Sequence, residues 1–355
     1  MLFRSKGLNF FSSKEEQFTI TKEDIVVSSL QPNSALLQVL LEPKTALTDS
    51  ATYDITAWSL PYAYGVQAFA LKDKLAATES FTKPAITIAA TKYGYALPWN
   101  SLKSAVFAAK LLQKGYKLRY ATESFEVNGN TFDPGTVLVL KTSNEKMGEQ
   151  LFEKVREEAM QDQIALVSLQ SGMVDKGADF GSDKVHSIRT PRVAMLSGEG
   201  CSSLSVGEVW HFFDRQLSYP LTVLNSTSFS VNDLAAFDVL ILPEGRFRFL
   251  DAKENVEGIR NWLQQGGKLI AIGESSLQLG KLDIGLISRK TDATEEKEPY
   301  AALQNFKDRE RDEIRSLTTG SIWKVALDAT HPLAFGYPSF YYTLKTRSEE
   351  HTSEL

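Results

Sequence analysis

The chain has a single cysteine, Cys201, and only four histidines among its 355 residues. One cysteine excludes an internal disulfide and leaves the redox compartment open. No apolar run approaches the roughly 18–20 residues that cross a bilayer, and the first residues lack the charged, apolar and small-residue order of a signal peptide. An excess of positive charge is missing too. The 39 basic and 44 acidic residues are spread along the chain and sum to -5, so no basic stripe offers a footprint for nucleic acid or anionic lipid. A catalytic zinc needs three clustered ligands and an open position. His186, His211 and His331 are followed three residues later by Arg189, Asp214 and Ala334, so none begins His-x-x-Glu. The one such match, His351 to Glu354, lies in a tail set aside below.

What is present is an ordinary globular composition, 43% hydrophobic and 23% charged, with length enough for two cores. The two ends stand apart. Arg347-Ser-Glu-Glu-His-Thr-Ser-Glu-Leu355 reads as a translated sequencing adapter, and Met1-Leu-Phe-Arg-Ser5 as the same adapter from the opposite strand. We expect the protein's own sequence to run from Lys6 to Thr346, with residues 1–5 and 347–355 extraneous.

Residues 6–84 read as a β-rich linking segment, with strands expected at Phe18–Ile20, Ile25–Val27 and Leu36–Leu41. An aromatic stretch at 52–65 breaks at Pro61 and Gly65 and leads into a short helix. Lys83-Pro84 marks a boundary. Residues 85–170 alternate strands and helices as a small α/β domain. Its strands are expected at Ile86–Ala90, Lys117–Ala121, Thr136–Leu140 and Ile164–Val167, with a helix capped by Asn100, a turn at Asn128-Gly129 and a second helix through Leu151, Val155 and Ala159. Gly-rich residues 171–191 read as a linker. From Arg192 the alternation is cleaner. Short apolar strands near 192–196, 221–224, 238–242 and 268–272 are separated by helices near 205–217, 233 and 252–265, which implies a doubly wound parallel sheet. Residues 291–315 are highly charged, and Ser321–Leu327 is a further strand.

In such a sheet ligands meet the carboxyl ends of the strands. That rule selects Glu199 and Cys201 in Ser197–Ser203, Glu244 in Pro243–Gly245, and Glu274 and Ser275 in Gly273–Ser276. Near them we place a helix face carrying Glu208 and His211. Ser197-Gly-Glu-Gly200 lacks both Gly-x-Gly-x-x-Gly spacing and a P-loop lysine, so its glycines read as turn residues. Cys201 is either a nucleophile served by His211 or an inert thiol. Glu199, Glu244 and Glu274 are either a carboxylate cluster for a cation or solvated loop residues.

Four segments carry a resemblance: Thr52-Tyr-Asp-Ile-Thr-Ala-Trp-Ser-Leu-Pro-Tyr62, Ala96-Leu-Pro-Trp-Asn-Ser-Leu-Lys-Ser104, Gly207-Glu-Val-Trp-His-Phe-Phe213 and His331-Pro-Leu-Ala-Phe-Gly336. Together they resemble the downstream region of large bacterial zinc carboxypeptidase-like proteins. The resemblance implies a secreted or periplasmic parent whose upstream peptidase domain holds zinc and partners this region in cis. It also implies a class I glutamine amidotransferase-like, flavodoxin-like domain over 192–346, continuing past Thr346. In active relatives a nucleophilic cysteine follows the strand after a Gly-Gly turn. Here Gln265-Gly-Gly-Lys-Leu-Ile-Ala-Ile272 supplies turn and strand, but Gly273 occupies the cysteine position. The resemblance therefore implies a non-catalytic accessory region without cofactor, binding at most a small molecule; charge and run length add the expectation of no nucleic-acid partner and no membrane span. An independent hydrolase using Cys201 or Ser275 with His211, or a sugar- or nucleotide-binding module, are the alternatives.

Overall fold

The structure is a computed structural model that describes residues 3–21, 24–43, 59–72, 85–282, 284 and 321–345. The boundary at Lys83-Pro84, the charged stretch at 291–315, the tail 347–355 and most of the aromatic stretch before Ser59 lie outside the described residues. The chain divides into two compact units. One comprises residues 1–84, 292–329 and 337–352, and the other 85–291, 330–336 and 353–355.

The first unit opens with β1 (Phe3–Asn9) and β2 (Lys14–Ile20), an antiparallel pair running from Phe3 opposite Ile20 to Asn9 opposite Lys14. Ile25–Val27, expected as a strand, is exposed and pairs with nothing among the described residues. Leu36–Leu41, also expected as a strand, is helical: α1 spans Ser34–Leu41. A short Leu-rich run fits either structure by periodicity, and its Leu and Gln, with Ala35 before them, are good helix formers. The expected short helix is α2 (Leu60–Ala63), with Pro61 in its first turn, where a missing N–H costs nothing. Strand β3 (Phe69–Ala70) then pairs with β1.

The second unit begins with the small α/β domain expected over 85–170, whose strands pair antiparallel. Ile86–Ala90 is unpaired, and the strand is β4 (Gly94–Leu97). Between them the Thr91 hydroxyl accepts the N–H groups of Tyr93 and Gly94, closing a turn that delays the strand. Helix α3 (Leu102–Gln113) is capped by Ser101 rather than Asn100, its hydroxyl accepting the Ser104 N–H. Then follow β5 (Leu118–Ala121), β6 (Phe125–Val127), β7 (Asn130–Phe132), β8 (Val137–Leu140), α4 (Leu151–Gln161) and β9 (Val167–Leu169). β9 starts where Ile164–Val167 was expected to end. The residues read as a linker supply β10 (Val185–Ile188), which pairs antiparallel with β5 and completes the order β10-β5-β8-β4-β9. One face packs under α3 and α4 through Phe107, Leu111, Phe152 and Val155, and the other under the β6–β7 hairpin through Phe125, Phe132 and Phe180. Asn128 and Gly129 take positive φ of 52° and 73° at that hairpin tip, as a two-residue turn of primed type requires.

The same unit holds the parallel sheet: β11 (Val193–Ser197), α5 (Ser203–His211), β12 (Leu221–Asn225), β13 (Val239–Leu242), α6 (Lys253–Gln264), β14 (Lys268–Ala271) and α7 (Glu274–Gly280), with strand order β12-β11-β13-β14. The expected helix through 217 leaves α geometry after His211 and runs as a π-helical stretch to Leu217, where Ser218 turns left-handed at φ 50°. Alternate residues go to opposite faces. Ala194, Leu196, Leu240 and Leu242 pack under Ile259 and Trp262 of α6, while Val193, Met195 and Ile241 pack under Val206 and Val209 of α5. At the amino end Arg192 grips Asp238 by two side-chain bonds of 3.0 Å, and the Arg192 N–H adds a third of 2.8 Å.

The expected strand at 321–327 is β15 (Ser321–Ala326). It pairs with β16 (Phe340–Lys345) as a two-stranded ribbon of the first unit, not as a continuation of the parallel sheet. The connecting residues 330–336 belong to the second unit. There Phe335 is buried at Gly135, where an added Cβ would lie 2.8 Å from the Phe335 Cβ and 3.2 Å from Trp99. Two of the quoted segments, at 96–104 and 331–336, thus meet in space.

Candidate functional site

The strand order reverses between β11 and β13, so their carboxyl ends flank the position where a parallel sheet normally opens a crevice. Here the crevice is filled by main chain. The Ser202 N–H donates to the Glu244 carbonyl at 2.7 Å and the Arg246 N–H to the Gly200 carbonyl at 2.9 Å, with Cys201 bridged to Gly245. A Cβ on Gly245 would sit 2.1 Å from the Gly200 carbonyl oxygen, and one on Gly200 would sit 2.4 Å from the Arg246 carbonyl oxygen. Both glycines serve this close approach.

Cys201 is half-buried against the core under α6, and that burial pushes its thiol above the usual range. Such a thiol is the opposite of an activated nucleophile. His211, its proposed partner, is exposed at the far end of α5. The helix from Ser203 to His211 is about 12 Å long, so Glu208 and His211 lie away from the carboxyl edge and the dyad does not form. Ser275 is fully buried. Its hydroxyl accepts the Ile272 N–H at 3.1 Å and shares its proton between the carbonyls of Ile272 at 2.8 Å and Leu242 at 3.1 Å. It joins the ends of β13 and β14 and has no lone reactive direction left.

The residue before α7 has the more telling geometry. Gly273 sits at φ 62° and ψ -131° between β14 and the helix, a conformation that side chains strongly disfavour. A Cβ there would lie 3.0 Å from Glu244 Cγ and 3.2 Å from Cδ. The Glu244 side chain therefore crowds the place of a side chain at this turn and would have to shift to admit one.

The three carboxylates do not act together. Glu199 pairs with exposed Arg248 at 3.2 Å, Glu244 lies at the elbow and Glu274 is exposed in the first turn of α7. Among the described residues no group of three His, Cys, Asp or Glu side chains could hold a metal ion. His186 lies in β10 beside Tyr120, and His331 accepts the Leu333 N–H at 3.2 Å. The donor set among the described residues does not fit a zinc centre. Also among the described residues, no helix is long and apolar enough to cross a membrane.

Two contributors to this edge have no sequence signature. Ser205, buried in α5, accepts the Glu244 N–H at 3.0 Å, and Arg248 neutralises Glu199. An i+3 serine after the cap and a loop arginine are too common to single out. No family model, curated protein or solved structure matches the chain.

Proposed function

We propose that this chain is a non-catalytic accessory region of a zinc metallocarboxypeptidase-like protein, carrying a class I glutamine amidotransferase-like, flavodoxin-like domain whose nucleophile position is vacant. Supporting the reading are the strand order β12-β11-β13-β14, which follows the flavodoxin-like pattern, and above all the backbone of Gly273. A tight strand-to-helix elbow is the device that presents a nucleophile to backbone amides. Here that elbow geometry holds a residue without a side chain, and Glu244 crowds the position. The role that remains is to support a peptidase domain in cis, with the zinc and the peptide chemistry belonging to that domain and its secreted or periplasmic setting.

The hydrolase alternative draws no support from Cys201, Ser275 or His211, for the reasons of pKa, bonding and distance given above. A test of the proposed reading incubates the purified full chain with peptides and zinc and measures release of C-terminal residues. No release is expected above a chelator control. Zinc-dependent release would contradict it.

A further inference from the structure

The first unit contains an open, shallow cavity of about 310 Å³ lined by Phe11, Pro43, Tyr62, Ile322, Lys324 and Tyr342. Its walls are aromatic. Phe11 stacks on Tyr342 with centroids 5.4 Å apart, Tyr62 lies 5.2 Å from Tyr342, and Phe340 closes the cluster 5.7 Å from Tyr342. The ribbon register explains the arrangement. Lys324 is directly opposite Tyr342 and Ala326 opposite Phe340, which puts these side chains on one face, against Phe11 and Tyr62.

The polar groups in this wall are few and of one kind. Lys324 Nζ stands 4.2 Å from the centre of the Phe340 ring, and no carboxylate among the described residues pairs with it. The Tyr62 hydroxyl donates to the Phe10 carbonyl. The Tyr342 hydroxyl has no hydrogen-bond partner among the described residues, and the residue as a whole is 9% exposed. No acidic residue lines the cavity. An ammonium and a phenol hydroxyl facing a ring-walled space thus present donors without a matching acceptor.

We propose that this cavity binds a small carboxylate with a flat apolar body, the carboxylate taking Lys324 and the Tyr342 hydroxyl while the body lies against Phe11, Tyr62 and Pro43. Charge-assisted bonds are the stronger kind and rings prefer offset faces. The charge selects acids over their amides, and the walls select aromatic acids over acetate.

The test titrates the full chain with phenylacetate, phenylacetamide and acetate by calorimetry and ligand-observed NMR. Phenylacetate is expected to bind saturably and at least about tenfold more tightly than either control, as one lost charge-assisted bond implies. Lys324 is exposed, so Lys324→Met should leave the fold intact by circular dichroism and weaken phenylacetate about tenfold. Lys324→Arg should retain binding, and Tyr342→Phe should weaken it less than Lys324→Met does. Equal affinity for acid and amide, affinity unchanged in Lys324→Met, or no saturable binding would each overturn the proposal.

Discussion

Gly273 carries the account at the scale of single residues. Its φ of 62° and the 3.0 Å approach of Glu244 Cγ penalise any side chain. Gly273→Ala should cost about 1–3 kcal/mol, measured as a lowered urea midpoint. Glu244→Ala should recover part of that loss in the double variant, because it removes the Cγ and Cδ that crowd the position. Ser275→Ala should also destabilise, by about 1–3 kcal/mol, since it strips a buried hydroxyl from the Ile272 N–H and two carbonyls. Cys201, with its thiol pushed up by burial, should react with iodoacetamide at pH 7 more slowly than a free cysteine. Faster labelling would show an activating group that the described residues do not supply.

Between elements, the clasp of Arg192 on Asp238 ties the start of β11 to the start of β13. The Arg192 side chain, and secondarily its N–H, hold the Asp238 carboxyl down to about 2. The folded value lies below the ordinary carboxylate value near 3.9. The pair's contribution is therefore complete above about pH 4 and is lost as pH falls through about 2. Asp238 is 41% exposed, so solvent screening keeps that contribution to about 1 kcal/mol or less. Asp238→Asn should lower the urea midpoint at pH 7 and converge with the wild type near pH 2. A difference that persists at pH 2 would mean the bonds act through geometry alone.

Element types in the parallel sheet were legible because β11, β13 and their helices show short apolar runs set between amphipathic segments. The Asn128-Gly129 hairpin was legible from turn chemistry alone. Elsewhere local signals lost to context. Leu36–Leu41 is apolar enough for either structure, Ile86–Ala90 lost its pairing to a turn held by the Thr91 hydroxyl, and the Gly-rich residues before Pro191 still supplied β10. Strand direction in the first sheet was beyond reach. An alternation of strands and helices does not by itself distinguish a crossover from an antiparallel return.

For the whole molecule, the division into units could not be read along the chain because each unit is assembled from separated segments. The piece at 330–336 shows what this means. Phe335 is 8% exposed and seated at Gly135 and Trp99, so Phe335→Ala should cost the second unit about 3 kcal/mol, visible as a lowered urea midpoint. At the candidate site, sequence position placed Gly273 in the turn between β14 and α7. It did not reveal that Glu244 crowds this turn or that backbone closes the crevice between β11 and β13, since both depend on loops distant in sequence meeting at glycines.

The proposal that Gly273 marks an amidotransferase-like elbow without its nucleophile, and that neither Cys201 nor Ser275 replaces it, is tested most directly by ammonia release from glutamine. The full chain is predicted to release none above the buffer rate, with Cys201→Ala and Ser275→Ala indistinguishable from it. Turnover by the full chain that disappears in either variant would contradict the claim.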